Sequence, residues 1–223
     1  MTQAVKAISF DVGGTLIRPH PSVGSIYSRV AERQGFGPID PDALDRQFAA
    51  VFRQRLLQRY SEIEWRKVVE LTFAPFTAQA TSNELFAALW QEFVEPPSWQ
   101  VFTDVVPALE RCRAAGIRLA VTSNWDLRLR PTLANLGLAK YFEVIVASAE
   151  LGEPKPSPTL FHHVAERLRL SPSEILHVGD SVREDLEGAR GAGFQAQLIR
   201  QEPELAGIRT CLTVLVDKIT GLP

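Results

Sequence analysis

The stretch that decides the fold is AVKAISFDVGGT, residues Ala4–Thr15. Its part before Asp11 mixes β-branched and apolar side chains, a composition typical of a short buried strand. The predicted strand stops at Asp11, because Gly13 and Gly14 follow and two glycines in succession break a strand. The sequence therefore predicts a first strand that ends in a glycine-rich loop carrying one carboxylate.

Comparable apolar stretches recur further along the chain, and helical patterns lie between most of them. These stretches are Ile117–Val121, Val144–Ala147, Ile175–Val178 and Gln195–Ile199. Alternation of strand and helix is typical of a parallel sheet covered on both faces. We therefore predict an α/β fold, built on a doubly wound parallel sheet of the Rossmann type.

A long segment after the first strand lacks this alternation. From Ser22 to Glu95 it has the pattern of successive amphipathic helices without a strand. Helix starts are indicated at Asp40-Pro41, at the capping box Ser61–Glu64 and at Thr81–Asn83. Proline-rich linkers, Arg18–Pro21 and Pro96–Ser98, bracket the segment. We predict a core domain of residues 1–17 and 97–223, with residues 18–96 inserted as a smaller helical cap.

Composition excludes several classes of protein. The chain has 223 residues, enough for one full core and a small accessory domain, and its apolar runs are far too short to cross a bilayer. A formal charge of −2 with scattered arginines provides no concentrated field for a polyanion. Cys112 and Cys211 belong to no metal-binding or disulfide pattern, so we expect buried free thiols. The amino terminus lacks an export signal, and we predict a cytoplasmic protein without a nucleic-acid or membrane partner.

The polar residues that follow the apolar stretches indicate where the chemistry takes place. An open parallel sheet binds its ligands at the carboxyl ends of the strands. The first strand ends at Asp11, the second at Thr122–Asn124, and the fourth at Gly179-Asp180, with Asp185 shortly after it. Lys155 follows the third strand after a short loop. The sequence thus predicts three carboxylates, one lysine and a hydroxyl group at one edge of the sheet.

Such a cluster of carboxylates indicates a bound cation. Carboxylates packed together repel one another, and hard oxygen ligands suit Mg²⁺. Mg²⁺ is normally completed by a substrate phosphate, which Lys155 and a hydroxyl group would also hold. The Gly13-Gly14 pair allows backbone N–H groups to approach an anion closely. We therefore predict a site for Mg²⁺ and a small phosphorylated substrate.

In order and spacing these residues resemble the four motifs of the haloacid dehalogenase superfamily, whose members are mostly Mg²⁺-dependent phosphohydrolases. The segments that carry the resemblance are Asp11–Leu16, Ser123-Asn124, Gly152–Pro156 and Gly179–Asp185. The agreement extends from Ile8 to Gly193.

The resemblance implies a division of roles among the acidic residues. Asp11 would be the nucleophile that forms an aspartyl-phosphate and would also bind Mg²⁺. The carbonyl group of Gly13 and the carboxylate of Asp180 would be further Mg²⁺ ligands. Asp185 would serve as a ligand or as a hydrogen-bond acceptor behind the ligands.

The resemblance also implies how the substrate is held. Lys155 would offset the charge on the transferring phosphoryl group, and Ser123 and Asn124 would donate hydrogen bonds to its oxygens. Gly14 and Thr15, which belong to the first motif, are expected to bind the substrate as well.

Gly13 departs from the pattern of the family. Phosphatases of this superfamily usually carry a second aspartate there, which protonates the leaving alcohol and later activates water. A missing general acid and base is worth about 10²–10⁴ in rate, so turnover of ordinary phosphomonoesters is expected to be slow or absent. His20, between two prolines, is an alternative proton donor.

The leading prediction is a small-molecule phosphatase, and three alternatives remain. A haloacid dehalogenase would also lack the second aspartate, but it needs no metal and resembles sequences without the Gly179-Asp180 pair. A phosphonate-cleaving hydrolase would need a lysine in the cap, where Lys67 is the only one. The third alternative is a catalytically weak or non-catalytic member that keeps the phosphate and metal pocket.

Overall fold

The computed structural model describes residues 4–77, 82–201 and 212–220. The chain divides into two compact units. The first unit comprises Met1–Arg18 and Val101–Pro223, and the second unit comprises Pro19–Gln100. None of the helices in the described part of the chain has the length and apolar character needed to span a membrane.

Strands and helices alternate along most of the first unit, whereas helices predominate in the second. In chain order the strands are β1 (Ala7–Phe10), β2 (Ile17–Pro19), β3 (Trp99–Val101), β4 (Arg118–Ser123), β5 (Val144–Ala147), β6 (Ile175–Gly179) and β7 (Gln195–Leu198). The helices are α1 (Val23–Arg33), α2 (Pro41–Phe52), α3 (Glu62–Phe73), α4 (Asn83–Glu92), α5 (Val105–Ala114), α6 (Leu129–Asn135), α7 (Ser148–Leu151), α8 (Pro158–Leu168), α9 (Gly188–Gly191) and α10 (Leu212–Thr220). A π-helical turn, Val182–Glu187, directly precedes α9.

The main sheet of the first unit has five parallel strands in the order β5-β4-β1-β6-β7. The central strands β1, β4 and β6 are almost wholly buried, which explains why they appear in the sequence as continuous apolar runs. Helix α8 packs on the sheet through buried side chains that include Phe161 and Val164. The predicted α/β fold is confirmed.

The second unit is built from α1 to α4, and its described residues between 22 and 95 contain no strand. The predicted helix starts are confirmed at Asp40, which caps α2 with Pro41 at the first helical position, and at Ser61, which forms a capping box with Glu64. Ser82 caps α4, whereas Thr81 lies outside the described residues. A core of aromatic and aliphatic side chains holds the four helices together, with Tyr27 contacting Phe48, Phe73 and Phe93.

Two of the predicted strands, β1 and β4, differ from the prediction by more than one residue at an end. β1 begins at Ala7 rather than Ala4, because Ala4 and Lys6 are exposed and ladder pairing starts at Ala7. β4 extends past Val121 to Ser123, which pairs with Ala147 of β5. Cys112 is a buried free thiol as predicted, and burial raises its pKa to about 12. Cys211 lies outside the described residues.

Candidate active site

The ends of three neighbouring strands meet at one edge of the sheet. In the ladder, Phe10 of β1 lies opposite Val121 of β4 and Val178 of β6. The residues that follow on each strand therefore emerge side by side. This register brings Asp11, Ser123 and Asp180 to the same edge, as expected for the carboxyl ends of parallel strands.

Asp11 is buried and held through one of its carboxylate oxygens. Its Oδ1 accepts hydrogen bonds from the Oγ of Ser123 at 2.9 Å and from the Nζ of Lys155 at 2.7 Å. Its backbone N–H donates to the carbonyl oxygen of Val178 at 2.9 Å. No described residue binds Oδ2 of Asp11, so this oxygen remains available to a ligand.

Lys155 is the buried cation between two carboxylates. Its side chain is 1% exposed, and its Nζ lies 2.5 Å from Oδ1 of Asp185 in addition to its contact with Asp11. Burial alone would lower the pKa of Lys155, but the charges of Asp11 and Asp185 outweigh burial and raise it. The ammonium group is therefore charged and points at the oxygen of Asp11 that Ser123 also contacts.

Both carboxylate oxygens of Asp185 are engaged by the protein. Oδ1 is bound by Lys155 and by the Nε2 of His177 at 3.0 Å, and Oδ2 accepts from the N–H of Ser181 at 2.9 Å. Burial would raise the pKa of Asp185, yet the charge of Lys155 and the bond from His177 lower it. These contacts favour the second of the two predicted roles, that of an acceptor behind the metal ligands.

The three carboxylates are close enough for one cation. One oxygen from each of Asp11, Asp180 and Asp185 lies within 4.8 Å of the others. Loss of hydration and the charges of Asp11 and Asp185 raise the pKa of Asp180 to about 7, although the residue reaches solvent. A bound cation would relieve this repulsion. The available Oδ2 of Asp11 and the carboxylate of Asp180 are hard oxygen donors that fit Mg²⁺.

Gly14 makes room for Asp180. A Cβ atom on Gly14 would lie 2.3 Å from Oδ2 of Asp180, and the φ of Gly14 is +79°. Its N–H donates to the carbonyl of Ile17, and the N–H of Thr15 donates to that of Val12. The turn itself therefore uses both of these N–H donors. That Gly14 and Thr15 bind the substrate stays a prediction.

The side-chain hydroxyl group of Thr15, unlike its backbone N–H group, forms no hydrogen bond with the described residues. Thr15 is fully buried, and its Oγ1 has no hydrogen-bond partner among the described residues. A buried hydroxyl without a partner is costly, so it is a candidate for a contact with a bound group.

The side chain of Asn124 is hydrogen-bonded to the backbone of Lys155. Its Oδ1 accepts from the N–H of Lys155 at 2.7 Å, and its Nδ2 donates to the carbonyl oxygen of Lys155 at 3.0 Å and to Glu184 at 3.1 Å. Both amide hydrogens are thereby used. The side chain holds the backbone of Lys155 on both sides. That Asn124 also binds phosphoryl oxygens stays a prediction.

Gly13 lies beside an aromatic ring. A Cβ atom on Gly13 would be 3.5 Å from Cζ3 of Trp125, an ordinary van der Waals distance, and the backbone of Gly13 is not left-handed. The backbone of Trp125 is held by Ser148 at the start of α7. A side chain at residue 13 is therefore compatible with the local structure.

Sequence reasoning missed His177 and Ser9, which join Thr122 and Asp185 in a buried network. The available signal was a polar residue within an otherwise apolar strand, as His177 is within Ile175–Val178. Two other candidates lie in the second unit. His20 is exposed, and Lys67 is exposed and lies 3.6 Å from Glu70 on its own helix.

Comparison with known proteins agrees with this geometry. A family model for haloacid dehalogenase-like hydrolases matches residues 5–193. The chain belongs to this family. A human relative, haloacid dehalogenase-like hydrolase domain-containing protein 3, is 31% identical over 207 residues, covering 87% of this chain and 82% of that protein.

The chain is also similar to a phosphatase in sequence and to a dehalogenase in fold. A phosphoglycolate phosphatase from Chromobacterium violaceum is 28% identical over 201 residues, covering 86% of this chain and 83% of the relative. The solved structure of L-2-haloacid dehalogenase from Xanthobacter autotrophicus has a TM-score of 0.75 at 19% identity and covers 98% of this chain and all of that one. At that identity the second likeness shows a shared fold.

Proposed function

We propose that this hydrolase is a Mg²⁺-dependent phosphatase that acts on small phosphorylated molecules through an aspartyl-phosphate at Asp11. The observation that carries the proposal is the placement of Lys155, whose Nζ lies 2.7 Å from Asp11 and 2.5 Å from Asp185 in the buried cluster. The alignment with a phosphoglycolate phosphatase over most of both chains supports a phosphorylated small molecule as the substrate. Residues 18–96 are proposed as the cap domain and residues 1–17 and 97–223 as the catalytic core.

In this proposal Asp11 forms and then loses a bond to phosphorus. A carboxylate oxygen of Asp11 attacks the phosphoryl group, the bond from phosphorus to the leaving oxygen breaks, and water later cleaves the acyl phosphate to regenerate the carboxylate. Lys155 offsets the charge on the transferring oxygens. The hydroxyl of Ser123, which donates to Oδ1 of Asp11 in the free site, would turn to donate a hydrogen bond to those oxygens. Asn124 keeps Lys155 in place through its backbone.

The proposed metal site consists of the available Oδ2 of Asp11, the carboxylate of Asp180 and the carbonyl group of Gly13. Bound Mg²⁺ would supply positive charge beside the transferring phosphoryl group. Asp185 would act behind these ligands, since Lys155, His177 and Ser181 occupy its oxygens.

The missing acid at residue 13 limits the leaving groups that the enzyme can expel. Without a proton donor the leaving oxygen departs as an anion, which favours substrates with acidic leaving groups. We therefore propose a phosphatase that is faster on aryl or acyl phosphates than on alkyl phosphates.

The shared fold makes a haloacid dehalogenase the second candidate function. The carboxylate of Asp180 disfavours it, because its oxygen lies within 4.8 Å of oxygens of Asp11 and Asp185, a repulsive arrangement that a metal-free reaction does not need. A non-catalytic phosphate-binding member is disfavoured by the same cluster.

Parallel assays of phosphate and halide release test the proposal. A panel of phosphomonoesters is incubated with the protein in Mg²⁺ or in EDTA, and 2-chloropropionate is incubated under both conditions. We expect Mg²⁺-dependent phosphate release that Asp11→Asn abolishes. Chloride release that survives EDTA would instead establish a dehalogenase. Binding of phosphate without any turnover would establish a non-catalytic, phosphate-binding protein.

A further inference from the structure

Three adjacent strands carry polar side chains in the buried interior of the sheet. Thr122 on β4, Ser9 on β1 and His177 on β6 are each fully buried, and Ser9 lies opposite His177 in the ladder. The hydroxyl oxygens of Ser9 and Thr122 are 2.5 Å apart, and Nδ1 of His177 lies 3.2 Å from the Oγ of Ser9. We call Thr122, Ser9 and His177 the buried polar chain. It ends at Asp185, whose Oδ1 lies 3.0 Å from Nε2 of His177.

The chemistry of its members sets the direction of each hydrogen bond. An ionised carboxylate only accepts, so Nε2 of His177 carries the hydrogen that is donated to Asp185. In a neutral ring the other nitrogen accepts, so the Ser9 hydroxyl donates to Nδ1 and receives in turn the hydroxyl hydrogen of Thr122. The buried polar chain therefore selects one tautomer of His177. The ring of Phe161 packs edge-on against that imidazole, with centroids 5.1 Å apart, and restrains its rotation.

Stability alone does not account for this arrangement. Burying polar groups is costly unless every one is hydrogen-bonded, and apolar side chains fill the neighbouring positions of the same strands, such as Ile8, Val121 and Val178. A fully bonded polar network instead specifies one arrangement of its members. At the end of this network, the side chain held in one arrangement is the carboxylate of Asp185, which contacts Lys155.

We propose that the buried polar chain is a positioning device for the active site. Ser9 orients His177, His177 fixes the Asp185 carboxylate, and Asp185 holds the ammonium group of Lys155 at 2.7 Å from Asp11. His177 is thus a positioning residue that acts through Asp185 and touches no substrate. The proposal depends on the proposed phosphatase function only where turnover is measured.

Two substitutions of similar polarity separate positioning from packing. The amide nitrogen of His177→Gln can take the place of Nε2 and donate to Asp185. The shorter side chain of His177→Asn ends near the place of Nδ1, so it can keep Ser9 but cannot reach Asp185. We expect the proton signal of the Lys155 ammonium group in ¹H–¹⁵N spectra to persist in the natural protein and in His177→Gln, and to be lost in His177→Asn.

The same pair is compared in turnover and in stability. We expect kcat of His177→Asn to fall about 10–100-fold with little change in KM, because losing a partner of an active-site group typically has an effect of this size. His177→Gln should recover most of that loss. Similar melting temperatures of the two variants would show that the difference does not arise from unfolding. If the natural protein releases no phosphate, the proposed function fails, and the Lys155 signal alone decides the positioning proposal.

Equal behaviour of the two variants in the Lys155 signal would overturn the proposal, whether both keep it or both lose it. Should neither variant fold, the tautomer of His177 is read in the natural protein and in Ser9→Ala from imidazole ¹⁵N shifts. We expect hydrogen on Nε2 in the natural protein and a weakened Lys155 signal in Ser9→Ala. Hydrogen on Nδ1, or an unchanged Lys155 signal in Ser9→Ala, would also overturn the proposal.

Discussion

The carboxylate of Asp180 occupies the space that any side chain at residue 14 would require, since a Cβ atom on Gly14 would lie 2.3 Å from Oδ2 of Asp180. The two residues lie in the loops that follow β1 and β6, adjacent strands of the main sheet. Gly14 is therefore needed for the position of a proposed metal ligand as well as for its own left-handed backbone.

Gly14→Ala is expected to weaken Mg²⁺ binding and to destabilise the protein. The left-handed backbone alone costs an alanine about 1–2 kcal/mol, and the new methyl group would displace Asp180. Gly13→Ala is the matched control, because its Cβ would have an ordinary 3.5 Å contact with Trp125 and no positive φ. Calorimetric titration with Mg²⁺ and thermal melting of both variants test the expectation. Unchanged Mg²⁺ affinity in Gly14→Ala would contradict the proposed role of Asp180.

Gly13→Asp is expected to raise the rate on alkyl phosphates by restoring a proton donor. The gain should approach the lower part of the range of about 10²–10⁴ for general acid–base catalysis, and should be smaller for aryl phosphates, whose leaving groups need little protonation. Values of kcat/KM for one substrate of each kind measure the difference.

Gly13→Asn is the control for the proton donor, since it adds similar bulk without an acid. Asp11→Asn should abolish turnover in either background, because an amide does not replace the attacking oxygen. Equal rates for alkyl and aryl phosphates in the natural protein would contradict a missing acid and would make His20 the next residue to substitute.

Stability without metal is expected to fall as pH rises toward neutrality. The pKa of Asp180 is raised from its ordinary value of 3.8 to about 7, so between these values the folded protein binds more protons than the unfolded chain. Unfolding free energy then decreases with pH across that window. Melting temperatures in EDTA from pH 5 to 8 measure this decrease, and Asp180→Asn should reduce it.

Added Mg²⁺ is expected to reverse this pH dependence. The metal binds the ionised carboxylate, so its affinity should rise as pH passes through the pKa of Asp180 at about 7. The increase in melting temperature caused by Mg²⁺ should therefore be larger at pH 8 than at pH 6. An equal increase at both values would show that Asp180 does not titrate in this range.

Asn124→Ala is expected to lower kcat by about 10–100-fold, the usual effect of losing a partner that orients an active-site group. The substitution removes both contacts with the backbone of Lys155 and the contact with Glu184. Asn124→Asp keeps the acceptor for the N–H of Lys155 but places an acceptor opposite its carbonyl oxygen. Steady-state kinetics should give a higher kcat for the natural protein than for either variant. An unaltered kcat in Asn124→Ala would contradict the role of Asn124 in holding Lys155.

Local patterns in the sequence determined the strands, the helix starts and the residues at the strand ends. The period of apolar residues, the capping residues Asp40 and Ser61, and the glycines after Asp11 act over a few residues, so each can be recognised within a short window. The order of the four motifs indicated the family for the same reason.

Only the tertiary structure decided which groups of those segments are available to a ligand. His177 and Ser9 are 168 residues apart in the chain, and Asn124 and Lys155 are 31 apart, so no local pattern shows that they are bonded. The hydrogen bonds that occupy Asn124, Gly14 and the Thr15 N–H arise from register and turn geometry. Because a donor used inside the fold must give up that hydrogen bond before it binds a ligand, the sequence determined which residues gather at the edge of the sheet, and folding decided which of their atoms already have partners there.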